Sequence, residues 1–314
     1  MSKDIFSKEI SGFFSAQLSE WELAGTNYFQ LEKVKTRTLR FDGFEVLVQF
    51  NPERLRSTAA KTDSDSLKAR PCFLCEANRP VQQRGVLFDD EFTVLVNPFP
   101  IFRRHLTIVS SRHTNQVIMN NFDTMLSLAE ALPDYVIFYN GPLCGASAPD
   151  HLHFQAGNRS FIPLEKDFNS QQFVYPVING TGFQILNWTG YLRGIITLKG
   201  SERKLLESYF NAVFDKLSAI RADKPEPMLN ILVYKSDAFW IIHIIPRKKH
   251  RPLQFFAAEK ERLVLSPASV DLGGIIIAPR EEDYNRIKEF DIEDIFRQVC
   301  FSEDELYKII LDLK

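Results

Sequence analysis

In the segment Asp150-His151-Leu152-His153-Phe154-Gln155, three polar side chains recur at alternate positions. Residues i, i+2 and i+4 of an extended strand face the same way. His151, His153 and Gln155 therefore share one face, while Leu152 and Phe154 anchor the other to a core. A neutral imidazole can attack an α-phosphorus and form a phosphoramidate. The charge that then spreads over the non-bridging oxygens is stabilised by preorganised donors. His153 is the candidate nucleophile, and its ring should lose its proton near the ordinary histidine value of about 6.5. Gln155, two residues on, is the candidate donor. The segment Asn140-Gly141-Pro142-Leu143-Cys144-Gly145-Ala146-Ser147 precedes them. Its small residues let backbone N–H groups approach anionic oxygens, and Ser147 can add a hydroxyl.

A second constellation begins at Cys72-Phe73-Leu74-Cys75. Two thiolates at this spacing can hold one tetrahedral zinc, which needs two further ligands. His113 and His151 are the candidates. A redox dithiol and a pair of simple buried thiols are the other readings. A redox Cys-x-x-Cys usually opens a helix, whereas this one lies in a loop flanked by prolines. His105 and His243 read as packed core histidines.

The elements that must position these residues follow from periodicity. Residues 1–22 read as a helix, and 36–50 as a hairpin turning at Asp42-Gly43. Residues 51–70 read as a polar loop. FTVLVNP and HLTIVSS read as strands, 116–132 as a helix, and YVIFYNG and HLHFQAG as strands. The second half repeats this grammar. FQILNW and GIITLKG are strand-like, 201–221 helical, and LNILVYK and FWIIHIIP form an antiparallel pair around Ser236-Asp237. The expected fold is α+β, a duplicated architecture of antiparallel sheets flanked by helices. The expected domains are 1–165, carrying the chemistry, and 166–314, which lacks the His-x-His motif.

The chain has 314 residues, 45% hydrophobic and 25% charged, with a net charge of -2. That is the balance of a globular protein with a sizeable core, and it offers no general case for nucleic-acid binding. Four cysteines are too few for a disulfide scaffold. The charged N-terminus does not read as a signal peptide, and no window approaches the ~18 apolar residues of a membrane helix. The expectation is a reducing, cytoplasmic setting and a monomer or homodimer.

NGPLCGASAPDHLHFQAG resembles the active-site stretch of the histidine-triad superfamily. The likeness is to the branch of galactose-1-phosphate uridylyltransferase, diadenosine tetraphosphate phosphorylase and GDP-L-galactose phosphorylase. Members form a covalent nucleotidyl-histidine and pass the nucleotidyl group to phosphate or a sugar phosphate. The resemblance implies His153 as nucleophile, Gln155 as the phosphate-binding glutamine, and Asn140, Gly145, Ala146 and Ser147 as the loop around the α-phosphate. It implies a structural zinc on Cys72, Cys75, His113 and His151, and no organic cofactor. Arg54, with Arg56 and Lys61, resembles an Arg-bearing segment that contacts the nucleotide. Arg247 and Lys249 lie where the phosphorylases carry phosphate contacts, and Ser266 and Asp271 are acceptor-site candidates. The expected substrate is thus a nucleoside diphosphate sugar or a dinucleoside polyphosphate. A hydrolase of the same superfamily and a non-catalytic nucleotide-binding protein are the rival readings.

Overall fold

The computed structural model describes residues 3–55, 66–67, 69–221, 226–258 and 260–313, so Arg56 and Lys61 lie outside the described residues. The chain opens with α1 (Lys3–Glu20) and α2 (Glu22–Leu31), which break at the extended Trp21. The expected hairpin follows as β1 (Lys35–Arg40) and β2 (Glu45–Phe50), with Gly43 at φ +82° in its turn. Then come β3 (Gly85–Phe88), β4 (Phe92–Val96), β5 (His105–Ser110), α3 (Phe122–Ala131), β6 (Tyr135–Asn140) and β7 (His153–Asn158). After α4 (Pro163–Ser170), the same succession returns as β8 (Val174–Gly180), β9 (Phe183–Trp188), β10 (Ile196–Gly200), α5 (Arg203–Ile220), β11 (Leu229–Ser236) and β12 (Phe239–Pro246). The chain closes with α6 (Ser269–Leu272), β13 (Ile275–Ala278), α7 (Glu281–Arg286), α8 (Glu289–Val299) and α9 (Glu303–Leu311).

Ten strands form one antiparallel sheet in the order β3-β4-β5-β7-β6-β11-β12-β10-β9-β8. The order is a palindrome about the β6–β11 seam, so the duplication expected from the sequence is present in the topology. One row of opposed residues runs across it: Thr107, Gln155, Phe138, Leu232, His243, Thr197. Gln155 is therefore matched by His243, and His153, two residues earlier, by Ile241. The candidate site residues of one half thus correspond to core residues in the other.

Helices and a second sheet cover both faces, so the central strands read as continuous apolar runs. Tyr135, Ile137 and Tyr139 of β6 enter the core beneath α3 and α5, while Val136 and Phe138 enter the opposite core. Helix α5 contributes Leu206, Phe210, Val213, Phe214 and Leu217, a stripe at helical spacing. The second core lies under the three-stranded sheet β1-β2-β13, in which β13 runs parallel to β2. That strand pairs residues more than 220 positions apart and has no local sequence signal. Among the described residues, no helix is long and apolar enough to cross a membrane.

Two expected elements are shorter than the periodicity implied. The helix expected over 116–132 begins only at Phe122, because Asn120 is left-handed at φ +69°. The strand expected over HLHFQAG begins only at His153, so His151 lies in the bend before it.

Glu226 is a buried carboxyl between these layers. It accepts from the backbone of Ile118 at 2.9 Å and from the hydroxyl of Tyr139 at 2.7 Å. Burial raises its pKa to about 7. Between the unfolded value and this one, the folded protein holds the extra proton, so stability falls as pH rises through the window. Glu226→Gln should remove that slope. The wild type should lose roughly 3 kcal/mol relative to the variant between pH 4.5 and 8, at about 1.4 kcal/mol per unit. Urea midpoints across that range would read this, and parallel curves for the two proteins would contradict it.

Candidate functional site

The pairing of β6 with β7 ends at Phe138 opposite Gln155. Beyond it the strands part, and the carboxamide of Gln116 takes over the ladder. Its nitrogen donates to the carbonyls of Asn140 and His153, both at 3.0 Å, and its oxygen accepts from the His153 N–H at 2.8 Å. On its other side, His153 still opposes Val109 of β5. The backbone of His153 is thus held from both flanks just where the sheet opens into a cavity of about 720 Å³. That size lies within the range of small-molecule pockets.

His153 lines this cavity. Its Nδ1 lies 2.8 Å from the carbonyl of His151. A carbonyl only accepts, so Nδ1 carries the proton and Nε2 keeps its lone pair. Burial pushes the pKa down to about 4, well below the ordinary value expected from the sequence. The ring is therefore neutral at neutral pH. Beside it, Gln155 also lines the cavity, and its Oε1 lies 3.1 Å from Nε2 of the buried His105.

The small-residue loop forms the facing wall, with Asn140, Gly145, Ala146 and Ser147 all on the lining. The Asn140 oxygen accepts from Asn230 Nδ2 at 2.8 Å, Ser269 N at 2.9 Å and Ser269 Oγ at 2.7 Å. Its NH2 is the donor it has left. Gly145 sits at φ +97°, and a Cβ there would stand 2.6 Å from that of Ala268. Only glycine lets the loop press against the segment before α6. Arg70 donates to the Ser147 carbonyl at 3.1 Å and, with Arg54 and Arg251, brings positive charge to the walls.

Two expected contacts are corrected. Arg247 is buried, with all its donors engaged inside the protein. They meet the carbonyls of Val299, Pro267, Lys249 and His250 and the side chain of Asn230. It braces the loop from behind through Asn230 and has no donor to offer a phosphate. Lys249 is exposed and absent from the cavity wall, where its neighbours His250 and Arg251 stand instead. Ser266 lines the wall and accepts from Arg251 at 3.1 Å. Asp271 also lines it, but its carboxylate is spent on the backbone of Ala268 and Ile277, both at 2.9 Å.

Cys72, Cys75, His113 and His151 gather at the bend before β7, their potential ligand atoms all within 4.8 Å of one another. Cys75 Sγ lies 3.1 Å from His113 Nδ1, and Cys72 Sγ lies 3.3 Å from His151 Nδ1. Ligand atoms around a tetrahedral zinc stand roughly 3.5 Å apart, given metal bonds of about 2.0–2.3 Å. The tautomer also fits, because His151 Nε2 donates to the Ser110 carbonyl at 2.8 Å and leaves Nδ1 bare toward the thiols. These four residues form a cluster able to hold a metal ion.

Gln116, Asn230 and Ser269 were missed in the sequence. They are ordinary polar residues in loops, strands or short helices, and only the folded chain brings them to the site. The aromatic Trp21, Phe73 and Phe99 of the cavity wall likewise come from three separated segments.

Residues 13–158 match the family model described as "Domain of unknown function (DUF4922)", and residues 166–312 match "GDPGP1-like, C-terminal domain". Galactose-1-phosphate uridylyltransferase 1 of Streptococcus pneumoniae is 22% identical over 210 residues, which are 59% of this chain and 42% of that protein. The uridylyltransferase of Enterococcus faecalis is 28% identical over 158 residues, 44% of this chain and 31% of its own. The chain thus spans less than half the length of these relatives. Yeast Ap4A phosphorylase Apa2 shares the fold, with a TM-score of 0.62 at 17% identity over 89% of this chain and 96% of its own. Its complex with Ap4A superposes at a TM-score of 0.59 and 19% identity, with the same coverage. The chain thus shares the fold of Ap4A phosphorylase, and its sequence is similar to the galactose-1-phosphate uridylyltransferases and, over its second half, to the GDPGP1-like C-terminal domain.

Proposed function

We propose that the chain is a nucleotidyltransferase or nucleotide phosphorylase. Its substrate would be a nucleoside diphosphate sugar or a dinucleoside polyphosphate, and its intermediate a nucleotidyl-His153. The observation that carries this reading is His153 on the cavity wall, with a buried, neutral ring whose proton is on Nδ1 and whose lone pair is on Nε2. Nε2 attacks the α-phosphorus, a P–N bond forms, and the P–O bond to the leaving phosphate breaks with its electron pair on oxygen. The ring becomes positive as it forms that bond, and the His151 carbonyl on Nδ1–H stabilises the charge. An oxygen of the acceptor phosphate then attacks phosphorus and returns the pair to Nε2. Gln155, Asn140 and the loop amides supply donors to the non-bridging oxygens. Arg54, Arg70 and Arg251 offset the phosphate charge. Residues 1–165 supply the nucleophile, and 166–314 supply the opposite wall and brace the loop.

The same reading gives the Cys72, Cys75, His113 and His151 cluster one structural zinc. Zinc bound there would tie the Cys-x-x-Cys loop to the bend that carries His151. That bend aims the carbonyl that holds His153. With these four protein ligands a zinc would have no open position, so its role would be to hold shape.

Incubation with labelled UDP-glucose, GDP-hexose or Ap4A should leave label on the wild type and not on His153→Ala. Turnover by the variant should drop at least about a thousandfold. Equal labelling of the two proteins would overturn the assignment. Separately, protein purified without added metal should carry about one zinc per chain. Cys72→Ser should lose it and melt several degrees lower, while His153→Ala should keep both metal and melting temperature. A wild type without zinc would sink the metal assignment and leave the nucleophile untouched.

A further inference from the structure

We propose that His105 is the positioning residue of Gln155, its Nε2–H pinning the carboxamide oxygen so that the NH2 group faces the phosphorus. This rests on the reading of His153 as nucleophile. The sequence marks His105 only as a packed histidine, and it is indeed fully buried. Its two ring nitrogens nonetheless have different partners. The backbone N–H of Ile101 points at Nδ1 from 3.2 Å. A backbone amide only donates, so Nδ1 is bare and the neutral ring carries its proton on Nε2. Nε2 lies 3.1 Å from Gln155 Oε1 and donates to it.

The consequence falls on Gln155. A carboxamide can be turned end for end, and alone it would present oxygen or NH2 to the cavity. Here the reversed orientation would set its NH2 against the Nε2–H of His105, donor against donor. The oxygen is therefore drawn toward His105, and the NH2 remains for the cavity that Gln155 lines. A non-bridging phosphate oxygen needs a donor at this place, and an inverted carboxamide would repel it.

His105 is itself fixed. Thr107, two residues along β5, opposes Gln155, so His105 and Gln155 are diagonal neighbours within side-chain reach. The hydroxyl of Tyr28 on α2 donates to the His105 carbonyl at 2.9 Å and accepts from its N–H at 3.2 Å. Phe102 packs edge-on against the ring, with centroids 5.3 Å apart, and Phe138 lies tilted at 5.9 Å. Burial pushes the pKa down to about 3, so the ring stays in the single-proton form that this arrangement requires.

A double-mutant cycle tests the proposal. His105→Leu should slow single-turnover transfer from Ap4A or UDP-glucose about 10- to 100-fold. The same change in a Gln155→Ala background should slow it less than about twofold, because the group it positions is gone. An equal loss in both backgrounds would show His105 acting elsewhere and overturn the proposal. Nitrogen NMR of the wild-type histidine rings gives a second reading that needs neither turnover nor a folded variant. His105 should be protonated on Nε2 and bare on Nδ1. A proton on Nδ1 refutes the pinning even if His153 is the nucleophile, and a missing nucleotidyl-His153 leaves this spectrum unaffected.

Discussion

The Nδ1–H of His153 gives its hydrogen bond to a backbone carbonyl two residues back, at 2.8 Å, and the site is arranged around that bond. A regular strand would aim the His151 carbonyl into the ladder. The carbonyl can turn toward the ring because the chain is still bent at His151 and becomes a strand only at His153. The ring of His151 turns the other way, toward the two thiols. One short bend thus joins the thiol cluster to the His153 ring. Gln116 then fills the gap that the bend leaves in the sheet. Without it, buried backbone groups of Asn140 and His153 would go without partners, which costs about 1–3 kcal/mol each.

The same logic holds for the two carboxamides on the cavity wall. Each has its oxygen occupied from behind, that of Asn140 by Asn230 and Ser269, and that of Gln155 by His105. The side facing the cavity is left rich in donors. Behind Asn230 stands Arg247, whose donors meet four carbonyls and one carboxamide. Most of this bracing comes from residues after position 226. The second half therefore holds in place a cavity wall whose lining carboxamide, Asn140, belongs to the first.

What was legible in the sequence was whatever local spacing encodes. Strand alternation exposes a His-x-His-x-Gln pattern without knowledge of the fold, and a Cys-x-x-Cys loop marks two members of the cluster of four. The small-residue loop is legible for the same reason, and all four of its expected contacts reach the cavity. Roles that depend on what lies behind a residue were not legible. Arg247 sits in a basic run that reads as a phosphate contact, yet it is buried at the end of β12, with carbonyls of the 247–250 turn closing over its guanidinium. His105 looks like packing because its partner stands on another strand. The β2–β13 pairing was invisible because neither segment contains the other's register.

The seam of the ten-stranded sheet carries an obligation of its own. β6 and β11 meet over only four residue pairs, Asn230 with Asn140 through Val233 with Ile137. Were the halves to part, each would expose a central apolar strand, YVIFYN or LNILVYKS, with a row of unpaired backbone groups. Long, flat, apolar edges of that kind template aggregation. The strands left at the true edges, β3 and β8, are milder: β3 has four residues, and β8 carries a proline and a register shift. During synthesis, β6 must therefore wait, shielded or transiently exposed, until β11 emerges some ninety residues later. The interval between those two strands is when this chain most needs protection from its neighbours.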